Sequence, residues 1–355
     1  MTVSRFFSKK YSGLVPYTPG EQPKDTKYIK LNTNESPFPP SAEARRMAAQ
    51  AMERLQLYSD PECRELNAAA AERLGVSPDE LLFTNGSDEI LGFAFMAFCD
   101  AEHPAFFPDI TYGFYTVFAE LNGVPHREIP LRDDLSIDPD DYIGVGGTVF
   151  IANPNAPTGI ALPLSDIERI VRGNPDNIVV IDEAYIDFGG ESAVSLIHCY
   201  DNLLVTQTFS KSRSMAGARL GFGVACSQLI RDLNTVKYST NPYNINSMTM
   251  AAGIGALSDD GYFRDNCRKI AENRDYITTE LRRLGFTVPD SSTNFVFARH
   301  DRISGAEIYR RLRENGILVR HFDKPRISDY NRITVGSIEE MRELVSVLER
   351  VTRLS

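Results

Sequence analysis

The sequence predicts an α/β fold, with a mainly parallel sheet flanked by helices and a smaller α+β unit after it. Three observations lead there. Short, almost wholly apolar runs alternate with amphipathic stretches from about residue 80 onward. Polar residues gather directly after those runs. After residue 255 the pattern changes to one long charged stretch and then a series of short strands and helices. Strands covered on both faces read as continuous apolar runs, and ligands of such sheets sit beyond the carboxyl ends of the strands.

The elements follow in order. The Pro-rich start, "LVPYTPGEQP" to "ESPFPP", reads as extended chain without a core of its own, so residues 1–40 are expected to pack on the main body. Ser77, Pro78 and Glu80 have capping-box spacing before the first buried run. "ELLFTN" leads into the apolar helix "GSDEILGFAFMAFC", and "PAFFP" precedes the helical "YGFYTVFAELNG". "HREIPL", "TVFIAN", "NIVVIDEAY", "NLLVTQTFS" and "RLGFGVA" supply further strands. Residues 41–254 are thereby expected to form a large domain. Residues 255–355 form the small one, with the charged helix "YFRDNCRKIAENRDYITTELRRLG", strands "NFVFAR", "ILVRHF" and "RITVGS", and helices "GAEIYRRLRENG" and "IEEMRELVSVLERV".

At 355 residues and 42% hydrophobic, the chain is long enough to bury a substantial core. Its formal net charge of −10, with no dense Lys/Arg tract, disfavours nucleic acid as a partner. Five cysteines spaced far apart, with no C-x-x-C pair, read as small hydrophobes in a reducing compartment. No histidine pair has metal-ligand spacing, so no metal is expected. No apolar run reaches membrane-spanning length and the start lacks a secretory signal, which implies a cytoplasmic protein.

Four loops at strand ends carry the chemistry. In "TFSKSRSMAGARLG", Lys211 sits among hydroxyl side chains, eight residues before Arg219. A lysine amine in water is almost wholly protonated, but partial burial beside other cations frees it to form an imine with a carbonyl cofactor. Hydroxyls at Thr208, Ser210 and Ser212 with a guanidinium are what a phosphate monoester requires of one loop. "NGSDE" (85–89) lies between a strand and a helix; Ser87 or Asp88 is a helix cap, a phosphate site on free N–H groups, or both. "VVIDEAY" ends a buried strand with Asp182, Glu183 and Tyr185, and an acid emerging there needs a cationic partner such as a protonated pyridine nitrogen. "NPNAPTG" (153–159) is at least a turn. No G-x-x-x-x-G-K-[ST] or strand-linked G-x-G-x-x-G occurs, which disfavours a nucleotide-binding protein.

Together these stretches resemble the pyridoxal-phosphate-dependent aminotransferases of fold type I. The resemblance runs through nearly the whole chain, from "LVPYTPGEQP" and "KLNTNESPFPP" through "YSDPECRELNAAAA", "NGSDEIL" and "PDITYGFY" to "STNFVFA" and "RITVGS". Within the group, "PYTPGEQP" is most similar to the histidinol-phosphate aminotransferases; the alternatives are aromatic-amino-acid aminotransferases and threonine-phosphate decarboxylases. The resemblance implies an aspartate-aminotransferase-like, seven-stranded sheet and pyridoxal 5'-phosphate as cofactor. Lys211 would bond the cofactor and then act as general base, Asp182 would pair with its ring nitrogen, and Tyr185 would hydrogen-bond its ring oxygen. Gly86, Ser87, Asp88, Thr208 or Ser210, and Arg219 would hold its phosphate, and Tyr112 would stack on its ring. Tyr58 would reach the neighbouring active site of a homodimer. Arg332 would grip the substrate anion, with Tyr17, Asn294 and Arg320 beside it. The family's usual asparagine before P-T-G is Ala156 here. The ring-oxygen contact then falls to Asn155 or Asn153, or mainly to Tyr185. Ser36 likewise stands where N-E-N-P is common.

Overall fold

The structure is a computed structural model and describes residues 4–23 and 28–353. Its centre is a seven-stranded sheet built from β1 (Leu81–Thr84), β2 (Ala105–Pro108), β3 (His126–Ile129), β4 (Thr148–Ala152), β5 (Val179–Asp182), β6 (Leu203–Thr208) and β7 (Gly221–Ala225). The spatial order is β1-β7-β6-β5-β4-β2-β3. Pairing is parallel from β6 through β3, whereas β7 runs antiparallel to both of its neighbours, β1 and β6.

Alternation along each strand explains why these segments read as unbroken apolar runs. Val149 and Ile151 of β4, Val179 and Ile181 of β5, and Leu203 and Val205 of β6 point into one core. Their neighbours Phe150, Val180 and Leu204 point into a second core on the other face, under the helices Ser87–Phe98 and Ser227–Thr240. Successive strand residues face opposite sides, so two covered faces leave few polar positions along these central strands.

The C-terminal elements close on a third core. A four-stranded antiparallel sheet, in the order Arg320–His321, Tyr330–Thr334, Phe295–His300, Phe286–Thr287, packs against the helices Asp260–Arg283, Gly305–Glu314 and Ile338–Arg353. The last of these buries Met341, Leu344, Leu348 and Val351, steps of three and four that hold one helical face inward. Leu31, Ala156 and Tyr185 belong to this third core as well. The N-terminal segment is thereby tied down. Its short strand Ile29–Lys30 pairs in parallel with Ile317–Leu318, and before it the described chain carries only a one-turn helix at Lys9–Tyr11. Among the described residues no helix is long and apolar enough to cross a membrane, and no cluster of three or more His, Cys, Asp or Glu could hold a metal.

The helices Ala42–Ala51 and Ser247–Ser258 meet at Gly255, where an added Cβ would lie 2.8 Å from the backbone of Ala44. Backbone cannot give way as a flexible side chain can. Gly255→Ala is therefore expected to lower the unfolding free energy by about 1–3 kcal/mol in urea titrations. Gly261→Ala, where a Cβ meets nothing within 4 Å, is expected to be neutral or slightly stabilising.

Candidate active site

The carboxyl ends of β4, β5 and β6 and the start of the helix Ser87–Phe98 converge on one cavity of about 170 Å³. Asp182, Tyr185, Lys211, Arg219, Tyr112 and Ser210 line it, and Ser87, Asp88, Thr208 and Ala156 lie in the same wall.

Asp182 is the last residue of β5 and only 4% exposed. Burial pushes its carboxyl up to about 6, against the pull of two hydroxyl donors. Tyr115 Oη donates to Oδ2 at 3.1 Å and Thr206 Oγ1 donates to Oδ1 at 3.2 Å. No lysine, arginine or histidine among the described residues forms an ion pair with it. Its neighbour Glu183 faces elsewhere: its carboxylate accepts from Ser192 Oγ, the Ala193 N–H and Gln207 Nε2 at 2.6, 2.7 and 2.8 Å. Of the two acids that end this strand, one opens on the cavity and the other braces the loop that follows.

Lys211 stands three residues beyond the end of β6, with Nζ 3.4 Å from the Thr33 carbonyl oxygen and 5.8 Å from the centre of the Tyr185 ring. Thr208 Oγ1 accepts the Ser210 N–H at 3.1 Å, which tightens the turn, while Ser212 turns away to donate to Asp187. Arg219 adopts a left-handed conformation, φ 54°. Its Nη1 reaches Ser210 Oγ at 3.2 Å and its Nη2 reaches Asp88 Oδ2 at 3.0 Å. Two glycines make room. A Cβ at Gly86 (φ 75°) would lie 2.6 Å from Arg219 Nη2, and one at Gly221 would lie 2.3 Å from the Ser87 nitrogen. Gly86 is also the N-cap of the helix, which carries no side-chain cap; Ser87 and Asp88 occupy its first turn, where N–H groups have no intrahelical partner. The Asp88 carboxylate additionally accepts Tyr112 Oη at 2.6 Å. Burial first, and then the charge of Asp88, raises the Tyr112 phenol well above its ordinary range, so it stays a neutral donor.

Several expected residues stand outside the cavity wall. Asn155 is a correction: its amide donates to the Ile110 carbonyl at 3.0 Å and Thr158 Oγ1 at 3.1 Å, and its oxygen accepts from Thr111. Asn153 is likewise spent on Leu162. Ala156 faces the cavity in place of both. Asn294 is wholly buried and donates to the Asn34 carbonyl at 3.0 Å. Tyr17 stacks on Phe114 at 4.3 Å. Tyr58 is 84% exposed and stacks on Tyr243 at 4.6 Å, away from its own chain's cavity. Arg320 and Arg332 are register partners on adjacent antiparallel strands, and neither is ion-paired among the described residues. Arg332 Nη2 donates to the Asn32 carbonyl at 3.1 Å, its Nε has no partner among the described residues, and burial lowers its guanidinium below the usual range.

Other contacts were not anticipated from sequence. Tyr115 and Thr206 hold Asp182, and Asn34 Nδ2 donates to Tyr185 Oη at 2.9 Å. Asn34 is itself fixed: Thr334 Oγ1 accepts its N–H and donates to its Oδ1 at 3.1 Å. Glu35 also lines the cavity. Thr206 shares a strand face with Thr208, a spacing that could have flagged it; Tyr115 and Asn34 gave no such signal.

The sequence profile of the family "Aminotransferase class I and II" matches residues 26–348. Relatives named histidinol-phosphate aminotransferase include one from Brachyspira hyodysenteriae, 47% identical and covering 98% of this chain and 99% of its own. Another, from Dechloromonas aromatica, is 48% identical over 99% of this chain and 100% of its own. The fold is that of the histidinol-phosphate aminotransferase from Sinorhizobium meliloti, solved in complex with pyridoxal-5'-phosphate: TM-score 0.90 at 24% identity, covering 99% of both chains.

Burial pushes Glu183 up to about 7, so between pH 4.5 and 7 the folded chain binds a proton that the unfolded chain releases. The stability due to this group is complete below pH 4.5 and is lost as pH rises through 7. Relative to Glu183→Gln, the wild-type unfolding free energy is expected to fall across that interval and level off above it, as read from urea titrations at several pH values.

Proposed function

The chain belongs to the class I and II aminotransferase family, and from that membership we propose that it is a pyridoxal-phosphate-dependent histidinol-phosphate aminotransferase. It would move the amine of histidinol phosphate to 2-oxoglutarate in histidine biosynthesis. The relatives that share nearly half of its residues over their full length bear that name. The observation that carries the reading is the pair at the floor of the cavity: an amine on Lys211, and a buried Asp182 carboxylate without a cation.

The residues fit the cofactor. An uncompensated carboxylate 4% exposed calls for a positive charge, and a protonated ring nitrogen supplies one. Arg219, Ser210, Thr208 and the first turn at Ser87 and Asp88 form a donor set suited to a phosphate monoester. Gly86 keeps the space before it clear. When bound, pyridoxal phosphate supplies an electron-withdrawing ring that takes up the electron pair of a broken C–H bond beside the amine.

The chain's own groups do the rest. Lys211 Nζ would hold the cofactor and, as a free amine, would carry the proton from the amine-bearing carbon of the substrate. Asp182 would keep the ring nitrogen protonated, and Tyr115 and Thr206 fix its two oxygens. With alanine at position 156, Tyr185 bears the ring-oxygen contact, and Asn34 orients its hydroxyl. Tyr112 offers its ring to stack on the cofactor. Arg320 and Arg332, two guanidiniums in register, suit a substrate phosphate in one half-reaction and a carboxylate in the other. Tyr17 and the N-terminal segment would cover the substrate side, and Asn294 holds the backbone beneath it. Tyr58 would serve the neighbouring subunit of a homodimer, which accounts for an aromatic side chain left 84% exposed. Five cysteines, all free thiols, favour the cytoplasm.

Purified protein incubated with histidinol phosphate and 2-oxoglutarate is expected to form glutamate, and Lys211→Ala to lose at least roughly 10²–10⁴-fold of that rate. Borohydride reduction is expected to fix the cofactor on the Lys211 peptide. Label on another lysine, or brisk reaction of phenylalanine or tyrosine without any from histidinol phosphate, would refute the assignment. For the shared site, Tyr58→Phe and Arg219→Ala chains, each impaired alone, are expected to regain roughly a quarter of wild-type activity when mixed, because each hybrid dimer keeps one intact site. Absence of recovery despite demonstrated subunit exchange would speak against a site built from two chains.

A further inference from the structure

Glu35 sets a third carboxylate, beside Asp88 and Asp182, in the wall of the cavity that Lys211 and Arg219 also line. It follows the extended strand Ile29–Lys30, and Thr33, two residues before it, places its carbonyl 3.4 Å from Lys211 Nζ. The side chain is 41% exposed. Its two oxygens are unequally used. Lys30 Nζ and Thr33 Oγ1 both donate to Oε2, at 2.5 and 2.7 Å, whereas Oε1 accepts from no described residue. Burial acts to raise its carboxyl. The hydrogen bonds from Lys30 and Thr33 and the charges of Lys30 and Lys211 outweigh it, and the group stays ionised.

A fixed negative charge here repels the carboxylates of 2-oxoglutarate and the phosphate of histidinol phosphate alike, but only the second substrate brings a side-chain hydrogen-bond donor for it to receive. Histidinol phosphate carries an imidazole one methylene from the carbon whose proton Lys211 takes. The ring must therefore lie close to the Lys211 amine, in the region that Glu35 borders. An imidazole always retains at least one N–H, and protonation gives it two. A carboxylate oxygen with no other donor is the acceptor that such a group requires. Resting on the function proposed above, we propose that Glu35 Oε1 receives the imidazole N–H of the amine donor and thereby selects an imidazole-bearing substrate. Lys30 and Thr33 hold the other oxygen and so aim the free one.

The experiment compares wild type and Glu35→Gln on two amine donors, histidinol phosphate and the phosphate ester of phenylalaninol, which keeps the phosphate and amine but replaces the imidazole by a phenyl ring. Glu35→Gln is expected to raise KM for histidinol phosphate about tenfold or more. The phenylalaninol ester is expected to keep its KM or improve it, and KM for 2-oxoglutarate to stay level or fall. The phenyl substrate also reports that the variant is folded and loaded. Calorimetric dissociation constants in a Lys211→Ala background, where turnover is blocked, are expected to show the same split. Equal losses on both esters, or no loss on either, would overturn the role of Glu35 while leaving the proposed function intact. A wild-type protein that does not turn over histidinol phosphate would instead overturn that function, and this inference with it.

Discussion

The site depends on one uncompensated charge. Asp182 ends an apolar strand between two others, only its edge open to the cavity, and its two hydroxyl partners are neutral. Hydroxyl donors offset part of the cost of burying a carboxylate and leave the remainder for a cation to relieve. The surrounding arrangement follows from that deficit. Tyr115 is held in place by the aromatic rings of Phe107, Phe150 and Tyr112, so the donor that steadies the acid is itself immobilised by the core. The sheet supplies the rest by placing β4, β5 and β6 side by side and in parallel, which delivers three loop starts to one edge.

The fold was legible because both faces of the sheet are covered. Runs such as "TVFIA" and "VVID" are apolar except at one terminal residue, so no inner polar position confuses a helix with a strand, and their ends mark where polar groups emerge. The direction of β7 was not legible, since a short apolar run reads the same whichever way it is paired. At the site, residues that act through charge at a strand end stood out: Asp182, Lys211 and Arg219. Residues that act through a hydroxyl or amide from a distant segment did not. Asn34 and Tyr185 are 151 positions apart, and no local pattern announces such a pair. Asn155 shows the opposite error. It has the right residue type next to the right position, but its amide closes the loop on Ile110 and Thr158 and leaves Ala156 to face the cavity.

Charge is distributed unevenly around this cavity. At one end Arg219 is half-neutralised by Asp88, which orients the guanidinium toward Ser210 and also fixes Tyr112. Beyond it, Arg320 and Arg332 face each other across a strand pair without a carboxylate. Like charges in register raise each other's energy, and burial of Arg332 adds to it. The segment from Asn32 to Glu35 runs between these regions. Its backbone carbonyls accept from Arg332, Lys211 and Asn294, so one short stretch of chain ties three distant segments together.

Gly86 and Gly221 offer no functional group, yet the space they leave empty is what lets the turn before the helix Ser87–Phe98, the start of β7 and the Arg219 guanidinium share one corner. At position 221 the obstacle is backbone, which no rotamer change can move aside. Natural drift, or a library that diversifies this pocket, can recolour a wall position such as 156, where a side chain already stands. These two bare positions allow no such latitude: a φ of 75° holds one to glycine, and backbone 2.3 Å away holds the other.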